Sequence, residues 1–290
     1  MLITKIVVIY NKKITQSETL KSLIDLCHSP IAYNHDLKNN LIIYNNGPNE
    51  LDCNCDLYFE LEKIYSVTVV QCLENKPLSI LYNECIHDFE SNYYLILDDD
   101  TYLPRNFMGM LDFGKENNLD VIVPIIKASD GICYYPYINN AVVGDGNKII
   151  KKDDIIKTIS SGMIISYNVC QLISKEYGNI FDQSYALYGV DSSFCARLNR
   201  LKKKGEDISI GIGMVIDHDL SRVGRISKNN MKERVIDMAI SFKKYPETIS
   251  LKSIVKVNLK LIKMGYFSLL LDFLYAYLRG CHPRTMKSRL

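Results

Sequence analysis

Five apolar runs of four to seven residues recur within the first 126 residues, most of them separated by helix-patterned stretches. They are Lys5–Tyr10, Leu41–Tyr44, Ser66–Gln71, Tyr93–Leu97 and Asp120–Ile126. Runs this short, rich in Val and Ile and bounded by polar or turn residues, predict buried strands. Between them, Gln16–Leu26 carries Leu20, Leu23 and Ile24 at helical spacing, and Pro77–Phe89 and Phe107–Glu116 also read as helices. Strands alternating with helices give βαβ units and a mostly parallel sheet, hence an α/β fold. Such sheets bind ligands beyond the carboxyl ends of their strands. The polar residues at those ends are Asn11, Asn45, Asn46 and Asp98-Asp99-Asp100, which are therefore expected to line one crevice.

The second half is patterned differently. Thr158–Tyr167 reads as small residues leading into a strand, Asp182–Leu201 as an acidic turn followed by a helix, and Asp207–Ile216 as a strand. The 290-residue chain is long enough for one large domain with a small appendage. Net charge is only +2, which gives no basis for a nucleic-acid partner. Residues 231–290 hold twelve Lys and Arg against four acidic residues. A catalytic body over 1–230 with a basic helical tail over 231–290 is the simplest division.

Nine cysteines, an odd number at irregular spacing, argue against a disulfide framework and for reduced thiols in a cytoplasmic protein. The apolar run Ile6–Tyr10 ends in Asn11-Lys12-Lys13 and reads as a first strand rather than a leader. No run reaches the roughly 20 apolar residues that span a bilayer.

Asp98, Asp99 and Asp100 follow directly on an apolar strand. Three adjacent carboxylates repel one another, and a hard dication such as Mn²⁺ or Mg²⁺ relieves that repulsion while favouring phosphate oxygens as further ligands. A solvated acidic turn or a helix cap is the competing role.

Tyr94–Pro104 (YLILDDDTYLP) resembles the D-x-D segment of family 2 glycosyltransferases. Four other segments resemble that family in order: Lys5–Asn11, Leu41–Pro48, Leu73–Asn83 and Ser160–Ser166. The last is similar to the strand of rhamnosyltransferase-like and galactofuranosyltransferase-like members, and the resemblance covers about residues 4–220. Leu73–Asn83 lacks the usual glycines of its loop, and Ile9 stands where Thr is common.

The resemblance implies a GT-A nucleotide-diphospho-sugar transferase fold and a set of roles. Asp98 would contact the nucleoside side of the donor and Asp100 would bind the metal that bridges its phosphates, with Asp99 between them. Tyr10, Asn46, Asn75 and Lys76 would join the donor contacts, and Ser161 and Gly162 the acceptor side. Tyr188–Arg197 resembles the acidic motif at a helix start, which makes Asp191 the base that takes the acceptor proton; a plain helix cap is its alternative. His218 matches a late metal-ligating histidine, against the ordinary fate of a lone histidine in a core or on a surface. Arg222 and Arg225 follow on a loop able to neutralise phosphate charge, or simply to sit in solvent.

In the tail, Lys252, Lys256, Lys260 and Lys263 fall on one helical face, with Ile254, Leu261 and Ile262 roughly opposite, followed by the apolar, aromatic Tyr266–Leu278. This suits a helix lying on an anionic membrane, and equally a helix packed on the body or a homodimer interface. The expectation is an inverting, metal-dependent glycosyltransferase. It takes a sugar from a UDP- or dTDP-linked donor to a saccharide, lipid-linked in O-antigen or capsule synthesis, at the inner face of the cell membrane. A sugar-1-phosphate nucleotidyltransferase usually has a Gly- and Arg-containing loop where Asn11-Lys12-Lys13-Ile14 stands. A non-catalytic assembly partner of the same fold is the other alternative.

Overall fold

The computed structural model describes residues 1–27, 38–218 and 227–287. The first half runs β1 (Leu2–Ile9), α1 (Glu18–Cys27), β2 (Lys38–Asn45), α2 (Asp56–Ile64), β3 (Ser66–Gln71), α3 (Leu78–Asp88), β4 (Tyr93–Asp98), β5 (Thr101–Tyr102), α4 (Gly109–Glu116) and β6 (Val121–Lys127). Short strands follow: β7 (Cys133–Tyr135), β8 (Tyr137–Ile138), β9 (Ala141–Val142), β10 (Lys148–Ile149) and β11 (Ile156–Lys157). The chain continues through β12 (Met163–Ser166), α5 (Tyr167–Tyr177), α6 (Val190–Lys203) and β13 (Ile210–His218). It closes with α7 (Lys228–Lys244), α8 (Leu251–Lys263), α9 (Phe267–Arg279) and α10 (Pro283–Lys287).

The main sheet has the order β10-β13-β6-β12-β4-β1-β2-β3, with β5 paired to β13 and β7 to β6. Strands β3, β2, β1 and β4 are mutually parallel, as are β6 and β13. β12 runs antiparallel between β4 and β6. Each central strand is buried on both faces, because helices cover both, so successive side chains enter opposite cores. Ile6, Val8, Ile42, Tyr44 and Ile96 face one core; Val7, Ile9, Ile43, Leu95 and Leu97 face the other. β8, β9 and β11 form a small separate sheet.

Parallel pairing brings the strand ends level. Ile9 lies opposite Asn45, and Val8 opposite Asp98. The crevice residues read from the sequence therefore come from adjacent strand ends. α7 adds Ile236, Ala239 and Ile240 to the first core, and α9 packs on α7. Cys53, Cys55, Cys72, Cys85, Cys133, Cys170, Cys195 and Cys281 are free thiols. Among the described residues, no helix is long and apolar enough to cross a membrane.

Candidate active site

The acidic turn after β4 is held from behind by the start of α1. The Thr19 hydroxyl lies 2.5 and 2.9 Å from the Asp98 and Thr101 carbonyls, which share its single proton, and accepts from the Thr101 amide at 2.9 Å. The Ser17 hydroxyl donates to the Asp99 carbonyl at 3.0 Å. With its backbone thus satisfied, the turn projects three carboxylates without fraying. β5 then pairs with the end of β13 and sets His218 opposite Thr101. Strand alternation turns the neighbouring Asp217 the other way, where it pairs with Lys127 at 2.9 Å.

Three side chains converge. Asp98, Asp100 and His218 each offer one ligand atom, and all three atoms lie within 4.8 Å of one another. His218 Nδ1 is 3.3 Å from Asp100 Oδ1, and Nε2 is 3.8 Å from Asp98 Oδ2. The Thr101 hydroxyl lies 3.1 Å from His218 Nδ1 and fixes the ring. Asp98 Oδ2 also accepts a hydrogen bond from Ser161. Asp100 Oδ1 is buried and, among the described residues, accepts no hydrogen bond. Burial and the Asp98 charge push the Asp100 carboxyl up to about 6, with His218 pulling the other way. Two carboxylates and an imidazole form a donor set suited to a hard or borderline dication. Asp99 faces away from this group: its carboxylate takes the Lys12 ammonium at 2.8 Å, and burial holds its proton affinity above the ordinary value.

Asp191 occupies the first turn of α6, two residues after Gly189, which is left-handed at φ 80°. The residue at the cap is Gly189, so Asp191 does not close the helix itself. Burial, reinforced by the Asp98 charge, pushes its carboxyl up to about 6, against the neighbouring Ser160 and His218, which favour the charged form. Asp98 and His218 thus act electrostatically on Asp191 and belong to one neighbourhood. The rival carboxylate, Asp182, is bound in a network with Lys244, Arg197 and the Tyr245 hydroxyl.

Each of the other sequence candidates within the described residues has its own surroundings. Tyr10 is half exposed at the end of β1. Asn46 is buried, and its amide clamps the loop after β3 by giving to the Lys76 carbonyl at 2.9 Å and taking from the Lys76 amide at 2.7 Å. Lys76 carries its ammonium to Glu84 at 2.7 Å, and Asn75 Oδ1 accepts from Arg284 at 2.9 Å. Gly162, at φ +75°, donates its amide to the Ile96 carbonyl; a Cβ there would meet Ile216 at 2.8 Å. A cleft lined by residues 11–16 and 49–52 opens beside Lys12. Arg222 and Arg225 lie outside the described residues, as does Asp219.

Two residues escape a reading of the sequence. The Tyr82 hydroxyl is fully buried on α3 beside Ser160, in electrostatic range of both Asp98 and Asp191. Asp237 on α7 sets its Oδ1 against Gly189, and burial pushes its carboxyl up to about 7. A single carboxylate within the apolar turn Val235–Ile240 is the one trace it leaves in the sequence.

No family model matches the chain, and no curated protein matches it. Solved structures of S. aureus TarS do. TarS 1–349 in complex with UDP aligns at a TM-score of 0.55 and 15% identity, over 95% of this chain and 81% of that one. The UDP-GlcNAc complex aligns at 0.52 and 14% identity, over 96% and 82%. A further TarS structure aligns at 0.54 and 15% identity, and this chain spans only 40% of its length. At this identity the likeness is one of fold: the chain has the GT-A fold, an α/β domain with a mostly parallel central sheet flanked by helices.

Proposed function

We propose that the protein is an inverting glycosyltransferase that moves a sugar from a nucleoside-diphosphate donor to a saccharide acceptor, with a bound dication. The observation that carries this reading is the group Asp98, Asp100 and His218, with an unbonded buried oxygen on Asp100, set beside Asp191 at the strand ends. Asp98, Asp100 and His218 would hold Mn²⁺ or Mg²⁺, which when bound offsets the negative charge of a diphosphate leaving group. That TarS has been solved with UDP and with UDP-GlcNAc supports a uridine-linked donor.

Asp191 takes the proton of an acceptor hydroxyl as its oxygen attacks the anomeric carbon from the face opposite the nucleotide. Ser160, beside that carboxylate, favours its charged form. Ser161 fixes Asp98. The Asn46 clamp and the Arg284 contact hold the loop at Asn75 and Lys76, where the nucleoside would lie. The motif likeness of Ser160–Ser166 supports an acceptor in bacterial surface polysaccharide synthesis, carried on a lipid.

The test is release of nucleoside diphosphate from a panel of UDP- and dTDP-sugars, with and without Mn²⁺. Turnover of at least one donor that stops in EDTA is the expected result. Donor binding without any turnover, across acceptors, would instead make the protein a non-catalytic partner.

A further inference from the structure

The two helices α8 and α9 each leave an apolar stripe uncovered. α8 packs through Ile254 and Leu261, and α9 through Leu269 and Ala276. At 100° per residue, Leu251, Val255, Leu259 and Ile262 fall together on a different face of α8, and all are 46–63% exposed. On α9 the corresponding stripe is Phe267, Leu271, Leu274 and Leu278, 52–69% exposed. Met264, in the short turn between the helices, is also exposed. Scattered apolar residues on a surface need no explanation, but two aligned stripes on consecutive helices do.

Charge decides what covers them. Lys252, Lys256, Lys260 and Lys263, all exposed, form a row directly beside the α8 stripe. α8 contains no acidic residue, and Asp272 of α9 is turned inward to Lys232 at 3.4 Å. A second copy of this chain, packed face to face, would set lysine row near lysine row, which disfavours self-association. An anionic lipid surface meets both features at once: acyl chains take the stripe, and phosphates take the ammonium groups. Neither helix is long enough to cross a bilayer, so the pair lies along it.

We infer that the α8–α9 face docks on an anionic lipid bilayer, with its leucine and phenylalanine side chains at the level of the acyl chains. This stands independently of the proposed reaction. It also refines the tail as read from spacing: Ile262 belongs to the exposed stripe, not to the packed face.

The full-length protein is floated with vesicles of phosphatidylcholine alone and of equal parts phosphatidylcholine and phosphatidylglycerol. Binding to the mixed vesicles is expected, at least about tenfold tighter than to the neutral ones and weakened by salt. Lys256→Gln with Lys260→Gln should abolish most of that preference. Leu259→Asn with Leu271→Asn should lower binding to the mixed vesicles while the melting temperature holds, since neither side chain is in the core. Failure of the wild-type protein to bind the mixed vesicles overturns the inference. So does a dimer by light scattering that Leu271→Asn dissociates while vesicle binding stays unchanged.

Discussion

Arg284 donates from Nη1 to Asn75 Oδ1 at 2.9 Å, tying the last helix to the loop after β3. The same guanidinium reaches Glu233 Oε2 at 3.2 Å, and His282 Nε2 lies 3.1 Å from that oxygen. Contacts from His282 and Arg284 hold Glu233 below the ordinary carboxylate range, against the effect of burial. Part of the basic chain end is therefore consumed inside the protein rather than offered to a partner. Asn75 itself is left-handed at φ 49°, a conformation that Asn tolerates better than most residues.

If that loop borders the nucleoside, Arg284→Ala loosens it without touching the reacting atoms. Donor KM should rise about three- to tenfold, the worth of one or two hydrogen bonds, with kcat within about twofold. Steady-state kinetics at varied donor reads this directly. An unchanged KM would mean that the Asn46 clamp alone holds the loop.

Metal binding should be visible without turnover. A dication that binds only the folded protein raises stability by about 2.7 kcal/mol at a hundredfold excess over its Kd. Thermal melts with Mn²⁺, Mg²⁺ and EDTA should show that gain in the wild-type protein and lose it in Asp100→Ala. Because the Asp100 carboxyl is pushed up to about 6, protons compete, and the gain should shrink as pH falls through that value. An equal gain in Asp100→Ala would move the ion elsewhere.

Asp191 must be charged to accept a proton. With its carboxyl pushed up to about 6, transfer should rise with pH through that value and level off above it. Asp191→Asn should keep donor affinity and lower kcat by about 10²–10⁴. A variant with full kcat, or with the same acid limb, would assign the proton to another group.

Much of this was legible because it depends on local pattern. Apolar runs such as Tyr93–Leu97 can hardly be anything but inner strands, and carboxylates placed directly after one stand at the carboxyl end of the sheet. Ser66–Gln71 is a strand over the predicted residues. What was not legible depends on distant partners. β8, β9 and β11 are two-residue strands that exist through pairing with one another. Helices α2 and α5 are absent from the sequence reading, although Leu57, Leu61 and Ile64 of α2 share one helical face and pack on the core. Asn46 looks like an exposed turn residue in sequence, yet it is buried with both ends of its amide used by Lys76. That bond spans thirty positions, and no spacing rule reports it.

Asp237 gives the last test, one of stability rather than catalysis. A Cβ on Gly189 would lie 1.8 Å from Asp237 Oδ1, so this carboxylate is wedged against the turn that carries Asp191. Burial pushes it up to about 7, although the Ser241 hydroxyl donates to it at 3.3 Å and Lys157 and Arg234 also favour its charge. In the unfolded chain an aspartate titrates near about 3.9. Between those values the folded protein binds the extra proton, so the stability from this group is complete below about pH 4 and is lost as pH rises through about 7. Asp191, also raised, adds a smaller contribution of the same sign. Asp237→Asn keeps the shape and removes the cost of the buried charge. Urea unfolding should find it more stable than wild type by about 1–2 kcal/mol at alkaline pH, and no more stable at about pH 4. Gly189→Ala should instead cost about 2–4 kcal/mol at both, through the clash and the left-handed backbone. A wild-type pH slope that survives Asp237→Asn would show that the titration belongs to a different carboxylate.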